Sequence, residues 1–284
     1  MLDIGEMVRY KLRRVRDLAR PSYVRWRFLK RFRADEPLVA QVEGVTIQYL
    51  PVGNVSRDLY LGQFERDVVE FLSEYLKPGM VVVDVGANIG IYSMLSAKCV
   101  GPRGTVHAFE PTPESFAQLR TNVELNKFSC LRLNQLALAD EAGTSTLYLY
   151  EQNAMNSLSQ QDWVGKALGQ VVVNTNTLDE YLLAENVRQV DLLKIDAEGA
   201  EMAVLKGAEH LLSGPHSPVV VCEFTDKTTR NFGYRAAELR EHLEKLGYNL
   251  FRWNVKSKRL IPEPMRQNYE IYANIVCIKP TRSS

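Results

Sequence analysis

From residue 64 onward the apolar positions of this chain switch repeatedly between two periods. Phe64, Val68, Phe71, Leu72 and Tyr75 recur at helical spacing until Pro78-Gly79, which predicts a helix over 64–76. Short apolar runs at 80–85, 105–109, 131–136, 191–195 and 218–224 read as strands, and helical spacing separates most of them, at 89–98, 113–126, 200–212 and 236–246. Such alternation predicts a doubly wound α/β fold, a parallel sheet with helices on both faces. The alternation breaks twice. Strands at 145–150 and 170–174 flank a polar loop, 151–169, that holds Asn156, Ser157 and Trp163 and reads as a lid or substrate loop. Strands at 248–253 and 270–278 have no helix between them, so the last pair is expected to be antiparallel, because a parallel neighbour needs a long crossover. Upstream, 41–50 reads as a short strand pair.

Ahead of this lies a different pattern. Ile4, Val8, Leu12, Val15 and Leu18 predict an amphipathic helix over 3–19; Pro21 ends it, and Tyr23, Trp26, Leu29 and Phe32 form a second stripe. Residues 1–33 carry eleven Lys and Arg against Asp3, Glu6 and Asp17, so a net charge of +1 conceals an arm at +8 and a remainder at −7. We therefore divide the chain into a basic helical arm, 1–35, and a catalytic-type domain, 36–284. The arm suits an anionic membrane surface. Docking on the domain or on a second subunit, giving a homo-oligomer, is the alternative, and a nucleic-acid arm the least favoured reading. No apolar run reaches the roughly 18 residues of a membrane span. Cys99, Cys130, Cys222 and Cys277 are scattered in apolar surroundings with no C-x-x-C pair, which predicts reduced thiols and, with no leader evident, a cytoplasmic protein, peripheral at the membrane's inner face if the arm binds there.

In an open parallel sheet, ligands sit beyond the carboxyl ends of the strands. The first strand ends in Asp84, and Gly86 and Gly90 then shape a turn into a helix start. The spacing is G-x-x-x-G rather than G-x-G-x-x-G, and Asp84 would repel a pyrophosphate, so the turn points to S-adenosylmethionine and away from NAD. The second strand delivers Glu110, placed to accept both ribose hydroxyls. The fourth ends in Lys194-Ile195-Asp196-Ala197-Glu198-Gly199-Ala200-Glu201. Lys194 and Asp196 share a face, and the crowd of carboxylates calls for a cation: the lysine, the cofactor sulfonium or a divalent metal. Glu223 ends the fifth strand at the same edge.

The stretches Phe64-Glu65, Asp84-Val85-Gly86-Ala87-Asn88-Ile89-Gly90, Ala108-Phe109-Glu110-Pro111, Asn122 with Leu125-Asn126, Asn156-Ser157-Leu158, Lys194 to Glu201 and Glu223 closely resemble the FkbM family of S-adenosylmethionine-dependent methyltransferases, over about residues 60–225. The resemblance implies a class I methyltransferase sheet, order 3-2-1-4-5-7-6 with the seventh strand antiparallel, and O-methylation of a sugar, glycolipid or natural-product hydroxyl. It implies cofactor contacts from Asp84, Gly86, Ala87, Asn88, Gly90, Glu110 and Asp196, with Ala137 near the adenine. Asp196 is then the base, held ionised by Lys194, with Glu198 and Glu201 shaping the site and Asn156, Ser157 and Glu223 facing the acceptor. A second mechanism stays open, in which Asp196, Glu198 and Glu223 bind Mg2+. Loops 151–169, 225–235 and 254–269 are expected to form the acceptor pocket, with Trp163, Phe232 and Tyr234 as candidates to stack on a sugar ring. Two other functions compete: nucleic-acid methylation, and a non-catalytic cofactor-binding scaffold.

Overall fold

The computed structural model describes residues 21–151, 153–161 and 165–280. The helix expected over 3–19 and Trp163 lie outside the described residues. A helix, Pro21–Phe32, leads into an antiparallel hairpin of β1 (Leu38–Val42) and β2 (Val45–Tyr49), turned by Glu43 and Gly44, both at positive φ. The free edge of β2 is occupied by amide side chains. Asn126 and Asn122 accept from the N–H groups of Thr46 and Gln48, each at 2.8 Å, and donate back to the same residues' carbonyls. Two asparagines one helical turn apart thus imitate a neighbouring strand and fix the hairpin to the Pro113–Asn126 helix.

The strands that follow are β3 (Val81–Val85), β4 (Thr105–Phe109), β5 (Leu131–Asn134), β6 (Ala137–Leu138), β7 (Gly143–Leu149), β8 (Gly169–Asn176), β9 (Leu192–Ile195), β10 (Val219–Phe224), β11 (Asn249–Asn254), β12 (Arg259–Pro262) and β13 (Ala273–Ile278). Eight form the main sheet in the order β12-β11-β13-β10-β9-β3-β4-β5. The five from β10 to β5 run parallel, and β13 lies antiparallel between β10 and β11. Numbered as in the sequence reading this is 3-2-1-4-5-7-6, with β12 added outside the sixth strand. That strand occupies part of the 254–269 segment expected to be loop.

Strand alternation sorts the core into two layers. Val82 of β3 packs with Val68, Leu72, Met94 and Leu95 of the helices on one face, whereas Val83 and Val85 pack with Val204, Leu205, Leu239 and Leu243 on the other. Asp84 is in phase with Val82, so it enters the first layer beside the Ile91–Val100 helix. All four cysteines are unpaired, three of them buried.

Two expected elements are split. The strand predicted over 131–136 stops at Asn134, and the chain then gives β6 to a separate sheet, ordered β6-β8-β7. The helix predicted over 200–212 is two helices, Glu201–Lys206 and Glu209–Ser213. At Gly207 a Cβ would overlap the Ala139 carbonyl just beyond β6, and Asp179 accepts from the N–H groups of His210 and Leu211 at 2.8 and 2.9 Å to start the second helix. Among the described residues no helix is long and apolar enough to cross a membrane.

Candidate active site

The glycine turn is fixed by backbone contacts before any ligand is considered. The N–H groups of Gly86 and Ala87 both donate to the Phe109 carbonyl, at 3.0 and 2.9 Å. Gly86 has φ 74°, and a Cβ there would overlap the Asp196 carbonyl oxygen. The glycine is thus required by the close passage of the β9 end as much as by a ligand. Asn88 takes a left-handed φ of 50°, which aims its N–H at Glu110 Oε2, 2.8 Å away, while Thr112 N–H reaches Oε1 at 2.8 Å. Burial pushes the Glu110 carboxyl up and these bonds, led by Thr112, pull it back. Asp84, 1% exposed, accepts from the Ser93 hydroxyl at 2.6 Å and leaves Oδ1 buried without a partner. Burial raises its pKa; Lys194 and Ser93 oppose the rise.

Gly86, Asn88, Glu110 and Ala137 line a cavity of about 920 Å3, together with Phe109, Leu136 and Leu138. That is near the upper end for small-molecule pockets, roughly 300–1,000 Å3, and leaves room for two ligands side by side. The donor set fits the cofactor inferred from the sequence. Each Glu110 oxygen keeps a second acceptor direction, suited to a pair of ribose hydroxyls, and the apolar side chains suit an adenine ring. Asp84, Ala87 and Gly90 do not line the cavity. They lie beneath or behind the turn; a Cβ at Gly90 would overlap Leu119, so that glycine serves helix packing.

The opposite wall carries Asp196, Glu198 and Glu223. Lys194, its side chain 2% exposed, donates to Asp196 Oδ2 at 2.9 Å and rests over the Tyr92 ring at 4.6 Å. Burial alone would lower its pKa, but Asp196, Asp84 and Glu65 together reverse the direction and keep the ammonium charged. Glu198, at φ 49°, and Glu223 are pushed far above the ordinary carboxylate range, first by burial and next by the Asp196 charge. Neither makes a side-chain hydrogen bond among the described residues. Glu201 faces inward: its Oε1 accepts from the N–H groups of Ala197 and Gly199, both at 3.0 Å. It braces the turn that carries Asp196 and Glu198 and does not line the cavity, which corrects its place among the catalytic residues.

Glu65 is the group the sequence reading left out of the site, although Phe64-Glu65 was among the family stretches. The helix expected from Phe64 begins at Arg66, because Glu65 adopts φ 22° and ψ 57°. This irregular backbone turns its side chain into the cavity wall, where Tyr92 OH and Asn274 Nδ2 both donate to Oε2, the latter at 2.9 Å. Burial and then Asp196 push it up to about 7. No periodicity marks such a residue.

The polar loop meets this wall. Ser157 Oγ and Gln161 Nε2 donate to the Glu198 carbonyl at 2.8 and 2.9 Å, and Asn156 Oδ1 accepts from Tyr150 N–H at 2.7 Å. Asn156 and Ser157 line the cavity, as do Thr225, Lys227, Val255 and Lys256 from the other two expected loops. Phe232 and Tyr234 do not. Phe232 packs against Gly199, and Tyr234 OH donates to the Gly199 carbonyl at 2.7 Å, so both stand behind the turn and line a separate cavity with Met202 and His242. The Mg2+ arrangement also finds no fit: among the described residues, no three His, Cys, Asp or Glu side chains converge to hold a metal ion.

Several known methyltransferases resemble this chain in sequence. Methyltransferase 1 of Beauveria bassiana is 35% identical over 145 residues, 45% of this chain and 58% of that protein, so the chain spans less than two thirds of its length. The 31-O-demethyl-FK506 methyltransferase FkbM of Streptomyces tacrolimicus is 33% identical over 53% of this chain and 67% of its own. The hexuronic acid methyltransferase AglP of Haloferax volcanii is 27% identical over 69% and 78%. The Methyltransferase FkbM domain family is matched by residues 84–250, which run from the aspartate before the glycine turn to β11, and the chain belongs to that family.

Proposed function

We propose that this protein is an S-adenosylmethionine-dependent O-methyltransferase acting on a hydroxyl of a sugar, glycolipid or natural-product acceptor. The observation that carries the reading is a carboxylate paired with a buried lysine, Asp196 with Lys194, facing a glycine turn and Glu110 across one cavity. S-adenosylmethionine supplies a methyl group on a sulfonium centre, open to in-line attack by an oxygen nucleophile. Glu110 and the Asn88 turn would hold the ribose, and Leu136, Ala137 and Leu138 the adenine. Asp196 then takes the proton from the attacking hydroxyl, while Lys194 donates to its Oδ2. Glu198 and Glu223, pushed well above the ordinary carboxylate range by burial and by the Asp196 charge, line the same wall and would meet the acceptor's oxygens there. The Asp196–Lys194 pair set among buried carboxyls suits a polyhydroxylated acceptor. The names of two relatives, for a demethylated FK506 and a hexuronic acid, agree with oxygen acceptors.

The test is isothermal titration with S-adenosylmethionine and with NAD, each in Mg2+ and in EDTA, followed by turnover on a panel of hydroxylated acceptors. We expect micromolar binding of S-adenosylmethionine alone, indifferent to the metal. Absence of that binding would overturn the reading, and binding without turnover on any acceptor would favour the scaffold alternative.

A further inference from the structure

The Pro21–Phe32 helix carries apolar side chains on two opposite faces. One face points inward. Trp26 is 4% exposed and rests on Tyr60, ring centroids 5.6 Å apart, with Tyr23 and Leu29 half-buried beside it. The other consists of Val24, Phe28 and Phe32, four residues apart and so aligned along one side of the helix. They are 59%, 57% and 68% exposed, and the two phenylalanine rings touch at 4.7 Å. A helix docked by one face ordinarily turns polar residues outward. Here three large apolar side chains stand there instead.

Their borders are cationic. Arg25 flanks the outer stripe on one side, and Arg27 and Arg31 on the other; the Arg31 guanidinium lies 5.9 Å from the Phe32 ring. Residues 21–33 contain Arg25, Arg27, Lys30, Arg31 and Arg33 and no Asp or Glu. An apolar stripe between rows of arginine matches the boundary between headgroups and acyl chains of an anionic bilayer, where rings enter and guanidinium groups reach phosphates. A second copy of the chain would bring the same charges against themselves. The place is informative too: Tyr23, on the first turn of this helix, lines the cavity that holds Glu65 and Asp196.

We propose that Val24, Phe28 and Phe32 form an interfacial docking face that sets the mouth of the cavity against an anionic phospholipid surface. Delivery of a lipid-linked hydroxyl acceptor from that surface rests on the methyltransferase reading; the docking itself does not.

The full chain is sedimented with vesicles of phosphatidylcholine, and with vesicles containing about one-third phosphatidylglycerol, at low and high salt. Binding to the anionic vesicles should exceed binding to the neutral ones at least roughly tenfold and fall with salt. The double variant Phe28→Ser, Phe32→Ser should lose about tenfold or more of that binding. Its melting temperature and S-adenosylmethionine affinity should be unchanged, since both side chains stand in solvent. Equal binding of the double variant and wild type would overturn the proposal, because the basic residues alone would then suffice. So would preference for an RNA oligonucleotide over vesicles, or a wild-type dimer that the double variant abolishes. Failure of wild type to bind S-adenosylmethionine would remove the methyltransferase reading and leave the vesicle result standing.

Discussion

On the glycine-turn side of the cavity, Glu110 gives both oxygens to backbone N–H groups; on the far side, Asp196 relies on a lysine, and Glu198 and Glu223, pushed up first by burial and next by the Asp196 charge, make no side-chain hydrogen bond among the described residues. The first wall is built from covalently fixed main-chain donors, so its geometry survives changes in charge. The second is shaped by burial and by one charged pair, so an altered charge there acts on each neighbouring carboxyl. On the proposed reading, cofactor recognition falls to the first wall and proton handling to the second.

The strongest test of this division is Asp196→Asn. Turnover should fall about a thousandfold, while S-adenosylmethionine affinity stays within roughly tenfold, because the rigid wall is untouched. Near wild-type turnover would remove Asp196 from the base role. Next comes Gly86→Ala, where a side chain must enter both a left-handed backbone and the space of the Asp196 carbonyl. It should cost on the order of 3 kcal/mol in a urea melt and abolish cofactor binding; a stable variant that still binds would show the two walls less tightly joined than they look. Glu110→Ala should weaken cofactor binding by about 2 kcal/mol, roughly thirtyfold, by orphaning two N–H groups, with the pH profile of turnover unmoved.

Glu65→Gln should have the smallest effect, and one that depends on pH. Because the folded protein holds this carboxyl near 7, above its ordinary 4.5, it binds more protons than the unfolded chain between those values. Its contribution is therefore complete below about 4.5 and is lost as pH rises through 7. The glutamine variant should lose less stability than wild type over that window, a difference of a few degrees in melting temperature. Parallel melting curves across the window would show that Glu65 does not carry this proton.

How much of this could be read beforehand follows from where each residue sits. Glu110, Asp196 and Glu223 end strands of a parallel sheet, and topology alone sends such ends to one edge. Glu65 sits in irregular backbone and is aimed by Tyr92 and Asn274, contacts that no local pattern encodes. Glu201 has the right neighbours but points the other way, because two backbone N–H groups outbid the cavity. The stripe Tyr23, Trp26, Leu29, Phe32 fails for a geometric reason. A spacing of three falls about 60° short of a full turn at each step, so after three steps Phe32 has wound to the opposite face. The break at Gly207 depends on Ala139, far away in sequence, and the small sheet behind it was visible only as two strands without a partner.

The two hydrogen bonds from Ser157 and Gln161 to the Glu198 carbonyl turn the polar loop into an exchangeable part with fixed sockets. Leu158, between them, lines the cavity, so its side chain can change while both bonds to the wall are kept. On the proposed reading, acceptor preference would then shift with that side chain while the carboxyl wall stays in place. Anyone retargeting this scaffold would hold Ser157 and Gln161 constant and vary Leu158.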